Sequence, residues 1–293
     1  MTLPLFAMGD DPGSSFSELL RRTAPTDSLA GSRADSTGGI TSVPDPLSGL
    51  RGIIHGTTIV ALRFADGIVM TGDRRATEGH SIAHRGIEKV FPADRHSAVA
   101  IAGAAGPAIE MVRLFQTQLE HYEKVEGTAL SLEGKANQLA QMVRANLPLA
   151  MEGLAVVPLF AGYDLRRRTG RIFSFDLAGG RYEELEYHAT GAGGRDAKTT
   201  IKLGYEADMP EARAVELSVK ALYQAADEDS ATGGPDPLRG IYPLVAVVDE
   251  DGYRRLGDDL VAEAFQVLLE SERRIPHRFS ADPPAVEDGG SPS

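Results

Sequence analysis

The chain contains no cysteine, which excludes disulfides, cysteine-ligated zinc and a cysteine nucleophile. That absence suits a reducing cytoplasm, the compartment expected here. Positive charge is also scarce: 30 Lys and Arg stand against 42 Asp and Glu, a net charge of −12. Such a balance leaves no electrostatic footprint for nucleic acid or for an anionic membrane surface. No apolar run reaches the roughly 18 residues that a membrane span needs. The opening stretch, Met1 to Met8, has no basic flank and runs directly into Asp10 and Asp11, unlike a secretory signal. What remains, 42% hydrophobic and 25% charged residues in a chain of 293, is the composition of a soluble globular protein with length enough for a sizeable core.

Residues 1 to about 50 read as a leader with little structure. Gly31 to Gly49 is dominated by turn-formers and small polar residues, too polar to repay the entropy of ordering. Within it, Phe16 to Arg22 could form a turn or two of helix, and Leu3 to Phe6 is a small apolar patch. The pattern changes at Arg51-Gly52-Ile53-Ile54-His55-Gly56-Thr57-Thr58-Ile59-Val60-Ala61-Leu62, where the chain becomes apolar and β-branched. Thr57 to Phe64 and Ile68 to Asp73 are expected as strands joined at Asp66-Gly67. Ile87 to Phe91 and Ser97 to Ala102 form a second expected pair, with irregular structure between. Two long helices follow, Pro107 to about Glu126 and one capped by Ser131 that runs to about Met151. Strands are expected at Leu154–Tyr163, Gly170–Asp176, Tyr182–Ala189 and Tyr242–Asp249. Helices are expected after Gly194, over Pro210–Ala226 and over Asp258–Glu272. Pro276 to Ser293 is a Pro/Gly/Ser-rich tail. Strands, a helix pair, strands and then helices imply a layered α/β architecture with two sheets between helix layers.

Gly56-Thr57-Thr58 by itself reads most simply as the opening of a strand. If the Gly56–Thr57 bond is cut, however, Thr57 carries a hydroxyl and a free α-amine on one residue, a nucleophile beside its own base. Such a hydroxyl needs a nearby cation to favour its deprotonated form, and the cation needs a carboxylate to hold it. Lys89, amid the expected strand Ile87–Phe91, and Asp73, at the end of the second strand, are the candidates. Taken alone, Lys89 is equally an exposed edge-strand charge. Gly103-Ala104-Ala105-Gly106 lies at a strand-to-helix junction, where main-chain N–H groups can face a developing oxyanion, although a close-packed turn looks the same in sequence.

Three lookalikes are set aside. Gly191-Ala192-Gly193-Gly194 breaks the spacing of a dinucleotide turn. Asp227-Glu228-Asp229 resembles a calcium loop but has Ala231 where a ligand is required. His80 and His84 sit four apart in a loop-like segment, without a carboxylate companion, so no metal site is expected.

As a set, Gly56-Thr57-Thr58, Gly72-Asp73-Arg74-Arg75, Lys89-Val90, Gly103 to Gly106 and Asp229-Ser230-Ala231-Thr232-Gly233-Gly234 resemble the β-subunit of the 20S proteasome of actinobacterial type, a family of N-terminal nucleophile hydrolases. The resemblance runs from about residue 50 to 273 and takes in His121-Tyr122-Glu123-Lys124 and Ala161-Gly162-Tyr163-Asp164. It implies an αββα sandwich of two antiparallel sheets, a propeptide 1–56 removed autocatalytically at Gly56–Thr57, a catalytic domain 57–275 and a flexible tail 276–293. It further implies a threonine endopeptidase without cofactor that degrades polypeptides. Thr57 would be the nucleophile, Lys89 would lower its hydroxyl pKa, Asp73 would orient Lys89, and Gly103 would supply the oxyanion N–H. Asp229 and Thr232 would support the site. Ala76, Ile87, Phe91, Ile101 and Ala105 would line an uncharged specificity pocket, and the backbones of Thr77 and Ala105 would pair with substrate. The implied partners are α-subunit rings, further β-subunits in heptameric rings and a ring ATPase. One departure stands out: Ala192 and Gly194 replace serines usual in the family, which implies reduced but present activity. Two alternatives remain at this point, a non-catalytic ring subunit of the same particle and the simpler hexameric bacterial relative, against which the long leader speaks.

Overall fold

The structure is a computed structural model, and it describes residues 56–78 and 81–273. The expected leader helix, the apolar patch at Leu3–Phe6, His80 and the tail lie outside the described residues. Twelve strands and six helices are found among those described. The strands are β1 Thr58–Phe64, β2 Gly67–Gly72, β3 Ala76–Glu78, β4 Ser81–His84, β5 Val90–Asp94, β6 Ser97–Gly103, β7 Val156–Asp164, β8 Thr169–Phe175, β9 Arg181–Glu184, β10 Tyr187–Gly191, β11 Leu244–Val248 and β12 Tyr253–Arg255. The helices are α1 Ala105–Glu126, α2 Leu132–Ala145, α3 Leu147–Met151, α4 Gly194–Gly204, α5 Glu211–Glu228 and α6 Asp258–Arg273. One antiparallel sheet has the order β10-β1-β2-β11-β12, a second β5-β6-β7-β8-β9, and β3 and β4 form a small ribbon.

The central strands are apolar on both faces, and the two-residue period of a strand sends alternate side chains to different cores. Along β1, Ile59 and Ala61 face the second sheet, while Val60, Leu62 and Phe64 pack under α4, α5 and α6. β11 divides in the same way, with Leu244, Ala246 and Val248 inward and Val245 and Val247 toward the helices. In β6, Ala98, Ala100 and Ala102 face the first sheet, and Val99 and Ile101 face α1 and α2. Small alanines between the sheets let them approach closely, and the larger rings fill the helix side. There Phe160 meets Phe115 edge-on at 5.8 Å and stacks on Phe173 at 6.0 Å. The result is helices, sheet, sheet, helices: the layered αββα sandwich expected from the sequence.

Local chemistry explains most element ends. Ser131 caps α2, its Oγ accepting from the Gly134 N–H at 3.1 Å. The long helix expected to continue to Met151 is broken after Ala145, because Pro148 stands in the first turn of α3 and cannot continue an earlier helix. Two expectations need correcting. The strand placed at Ile87–Phe91 begins only at Val90, so Lys89 precedes β5 and is not a strand residue. The strand placed at Tyr182–Ala189 is two strands in different sheets: β9 pairs with β8, β10 with β1. β12 is an additional short edge strand after the Asp251-Gly252 turn.

Candidate active site

β1 and β2 present the two residues at the centre of the site. Past the end of the ladder, the Asp73 N–H donates to the Thr58 carbonyl at 3.1 Å, and the Thr58 N–H returns a bond to Asp73 Oδ1 at 2.8 Å. The Asp73 carboxylate is fully buried and accepts three further bonds. Lys89 Nζ donates to Oδ1 at 2.7 Å, and the N–H groups of Arg75 and Gly233 donate to Oδ2, both at 2.9 Å. Four donors on one carboxylate fix its orientation.

Lys89 is 4% exposed, and its ammonium also donates to the Arg75 carbonyl at 2.6 Å. Burial pulls its pKa below the ordinary lysine value, with the Arg75 charge adding to that, while Asp73 and more weakly Asp229 pull it back up. A desolvated ammonium beside its carboxylate is a strong local field for any neighbouring hydroxyl. Thr57 shares a cleft with Lys89, Gly56, Ile101, Gly103 and Ala105.

The cleft holds about 340 Å³, part of it open to solvent, and also includes Ala76, Ile87, Glu88, Ala108 and Ile109. Of the five residues expected in the specificity pocket, Ala76, Ile87, Ile101 and Ala105 are therefore present. Phe91 is not among the lining residues; it packs against the same core cluster as Ile101, Ala108 and Ile109. The lining is not wholly uncharged either, since Glu88 belongs to it, its carboxylate engaged by Arg255 at 2.5 Å.

Gly103 has φ +108°, and a Cβ there would fall 2.1 Å from the Ala155 carbonyl oxygen. Only glycine fits this turn from β6 into α1. Main-chain parity then aims its N–H. The Ala104 N–H goes to Ala155 on the β7 side, whereas the Ile101 N–H goes to the Lys89 carbonyl on the other side. Two residues on from Ile101, the Gly103 N–H faces the Lys89 side.

Asp229 and Thr232 arrive from the far end of α5 and act on Thr58 rather than on Thr57. Thr232 Oγ1 donates to Asp229 Oδ2 at 2.5 Å and lies 2.6 Å from Thr58 Oγ1. A hydroxyl has one proton. With that of Thr232 committed to Asp229, the Thr58 hydroxyl must donate to Thr232, and it accepts the Gly193 N–H at 2.9 Å. The chain of donors therefore runs Gly193 to Thr58 to Thr232 to Asp229. Gly191, at φ +101°, turns the backbone so that the Ala192 N–H reaches the Thr57 carbonyl at 2.8 Å. Ala192 thus keeps a main-chain hold on Thr57 although it has no hydroxyl to offer. Thr77, in β3, accepts the Gly56 N–H through its Oγ1 at 3.3 Å.

Sequence reasoning missed Thr58, Arg75, Gly193 and Gly233. Arg75 and the two glycines act through the main chain, which side-chain chemistry does not advertise. Thr58 had a signal, as a buried-strand hydroxyl next to the nucleophile candidate.

A two-sheet sandwich between helix layers, with Thr57 at the head of a central strand, is the fold of the N-terminal nucleophile hydrolases. A family profile described as Proteasome subunit matches residues 53–236. The chain belongs to that family. It is 59% identical over 280 residues to a proteasome subunit beta of Acidimicrobium ferrooxidans, covering 95% of this chain and 96% of the relative. It is 55% identical over 270 residues to a proteasome subunit beta of Acidothermus cellulolyticus, covering 90% of each. Against a proteasome subunit beta of Streptomyces griseus the identity is 54% over 265 residues, again 90% of each. The resemblance read from the sequence therefore stands.

Proposed function

We propose that the chain is the catalytic β-subunit of a 20S proteasome core, a threonine endopeptidase made as a zymogen whose nucleophile is Thr57. The observation that carries this is the buried Lys89–Asp73 pair, with Nζ to Oδ1 at 2.7 Å, opening onto the cleft that Thr57 lines. Gly56 still precedes Thr57, so the Thr57 nitrogen is a peptide N–H and cannot act as a base. Removal of residues 1–56 by cleavage of the Gly56–Thr57 bond converts it to an amine with a reference pKa of about 8, which takes the hydroxyl proton directly or through a water. The Lys89 ammonium stabilises the resulting alkoxide electrostatically, and Asp73 orients the lysine. The Thr57 oxygen attacks the substrate carbonyl, and the Gly103 N–H stabilises the oxyanion. The Thr57 ammonium gives its proton to the leaving nitrogen, the amine fragment departs with an ester formed on Thr57, and water then hydrolyses the ester to free the acid and the hydroxyl.

The cleft floor of Ile101, Ala105, Ala108 and Ile109 supports cleavage after apolar residues, with Glu88 matched by Arg255 at its rim. Thr77 accepts the Gly56 N–H and Ala105 lines the same cleft as Thr57, which supports their pairing with an extended peptide by strand addition. Assembly with α-subunit rings and other β-subunits in heptameric rings, and feeding by a ring ATPase, belong to the same reading, as does a cytoplasmic location. Among the described residues no helix is long and apolar enough to cross a membrane.

The test is N-terminal sequencing of the chain after mixing with its α partner, together with hydrolysis of an apolar peptide substrate. The expected product begins Thr-Thr-Ile-Val and is active, and Thr57→Ala abolishes hydrolysis. An intact chain of 293 residues persisting in the assembled particle would instead establish the non-catalytic ring subunit.

A further inference from the structure

Behind the turn that carries Asp73 lies a second pocket that shares no lining residue with the Thr57 cleft. Its walls include Arg74, Arg75, Arg85, Gly233, Asp236 and Tyr242. Three guanidiniums on one pocket are unusual in a chain of net charge −12, and the carboxylates nearby do not match them. Asp236 is committed to Arg239, accepting its N–H at 3.2 Å and its Nη1 at 2.6 Å. Arg74 reaches only Asp258, at 3.5 Å, and that carboxylate is 49% exposed. The Arg75 Nη1 donates to a neutral acceptor, the Ser230 carbonyl, at 2.8 Å. Among the described residues no carboxylate pairs with Arg75, and the Arg85 guanidinium has neither hydrogen bond nor ion pair.

The second observation concerns a single atom. Arg74 Nε is buried and is the one buried side-chain nitrogen or oxygen among the described residues without a hydrogen-bond partner. Guanidinium N–H groups present planar paired donors that fit a carboxylate or phosphate. A buried donor left unmatched on Arg74, in a pocket it lines with two guanidiniums that no carboxylate neutralises, is the complement of such a group.

We propose that this pocket binds an oxyanion, a carboxylate or a phosphate group, with Arg74 Nε and the Arg75 and Arg85 guanidiniums as donors. The site connects with the catalytic pair through Arg75: its side chain lines the pocket while its N–H holds Asp73 and its carbonyl holds Lys89. The Arg75 charge also disfavours the Lys89 ammonium, so an anion against Arg75 relieves that repulsion. This consequence rests on the catalytic reading above, whereas the binding itself does not.

The experiment is a thermal unfolding titration of the full chain with inorganic phosphate, at ionic strength held constant with sodium chloride. The expected result is a saturable rise in melting temperature for the parent, and none for Arg85→Gln or Arg74→Gln. Arg85 is exposed, so its replacement leaves the fold intact and provides the reference if Arg74→Gln unfolds. An identical phosphate response in the parent and in Arg85→Gln would show a general salt effect or an adventitious ion only, and would overturn the proposal. Repeating the titration on chain assembled with its α partner separates the sources. A retained response identifies a free anion. A lost response, with Arg85→Gln lowering the melting temperature of the particle, identifies a carboxylate from a neighbouring subunit. A lost response with no effect of Arg85→Gln would refute anion binding in the assembled state.

Discussion

Replacing Asp73 by Asn keeps the shape of the side chain and removes its charge, which makes it the sharpest probe of the site. The carboxylate accepts four bonds, from the Thr58 N–H and Lys89 Nζ on Oδ1 and from the Arg75 and Gly233 N–H groups on Oδ2. An asparagine offers one acceptor oxygen. In its better orientation that oxygen stays with Lys89 and Thr58, and the NH2 group confronts two main-chain donors. Each buried donor left unmatched costs about 1–3 kcal/mol. The Lys89 ammonium also loses its counter-charge, and breaking a buried pair from one side costs about 3–5 kcal/mol. These penalties overlap, because burial already lowers the Lys89 pKa and the Asp73 charge that raises it is lost in the same change. A destabilisation of about 4 kcal/mol follows, or roughly 8–16 °C in melting temperature for a domain of this size. The assay is denaturant unfolding of the full chain, with Lys89→Met and the double variant completing a cycle. Met at 89 removes the charge that Asn strands, so the double variant should recover at least about 2 kcal/mol relative to the sum of the singles. Hydrolysis should be lost in both single variants. A stability within about 1 kcal/mol of the parent for Asp73→Asn, or strict additivity in the cycle, would show that the pair is not the buried and interdependent unit described.

Three further outcomes are expected. Thr58→Val, nearly isosteric, leaves the Gly193 N–H and the Thr232 oxygen without their partner and should cost about 1–3 kcal/mol, with Thr58→Ser restoring most of it; equal stability of the Val and Ser variants in urea would refute the donor chain. Gly103→Ala forces φ +108° on a residue with a Cβ that falls 2.1 Å from the Ala155 oxygen, and should lower stability by more than about 2 kcal/mol. A crystal structure of that variant with an unmoved β6–α1 turn would contradict this. Phe160→Ala removes a fully buried ring between Phe115 and Phe173, and calorimetry should show a loss of about 3–5 kcal/mol.

Most elements were legible along the chain. The helix periods, the Ser131 cap and the apolar β-branched strands are local properties, and the strands and helices they imply are found. Two strands were misread for one reason. Ile87 to Phe91 and Tyr182 to Ala189 have strand composition, but where a ladder starts and which sheet a strand joins depend on the partner strand. That is why Lys89 proved to stand before β5, and why β9 and β10 part company after Glu184. In the site, Thr57, Asp73, Lys89 and Gly103 could be picked out because each has a side chain or a junction suited to the chemistry.

The sequence by itself determined the acidic, cysteine-free composition, the layered alternation of elements and the candidate nucleophile, cation and carboxylate, since these follow from residue type and short-range spacing. Only the tertiary structure decided that Asp73 carries four donors, that Thr232 meets Thr58 across 174 residues of chain, and that Arg74, Arg75 and Arg85 share one pocket. Those arrangements depend on main-chain N–H directions and on the closure of long loops. Neither is encoded by any residue alone, and both are fixed once the two sheets pack and bring distant turns to the same end of the sandwich.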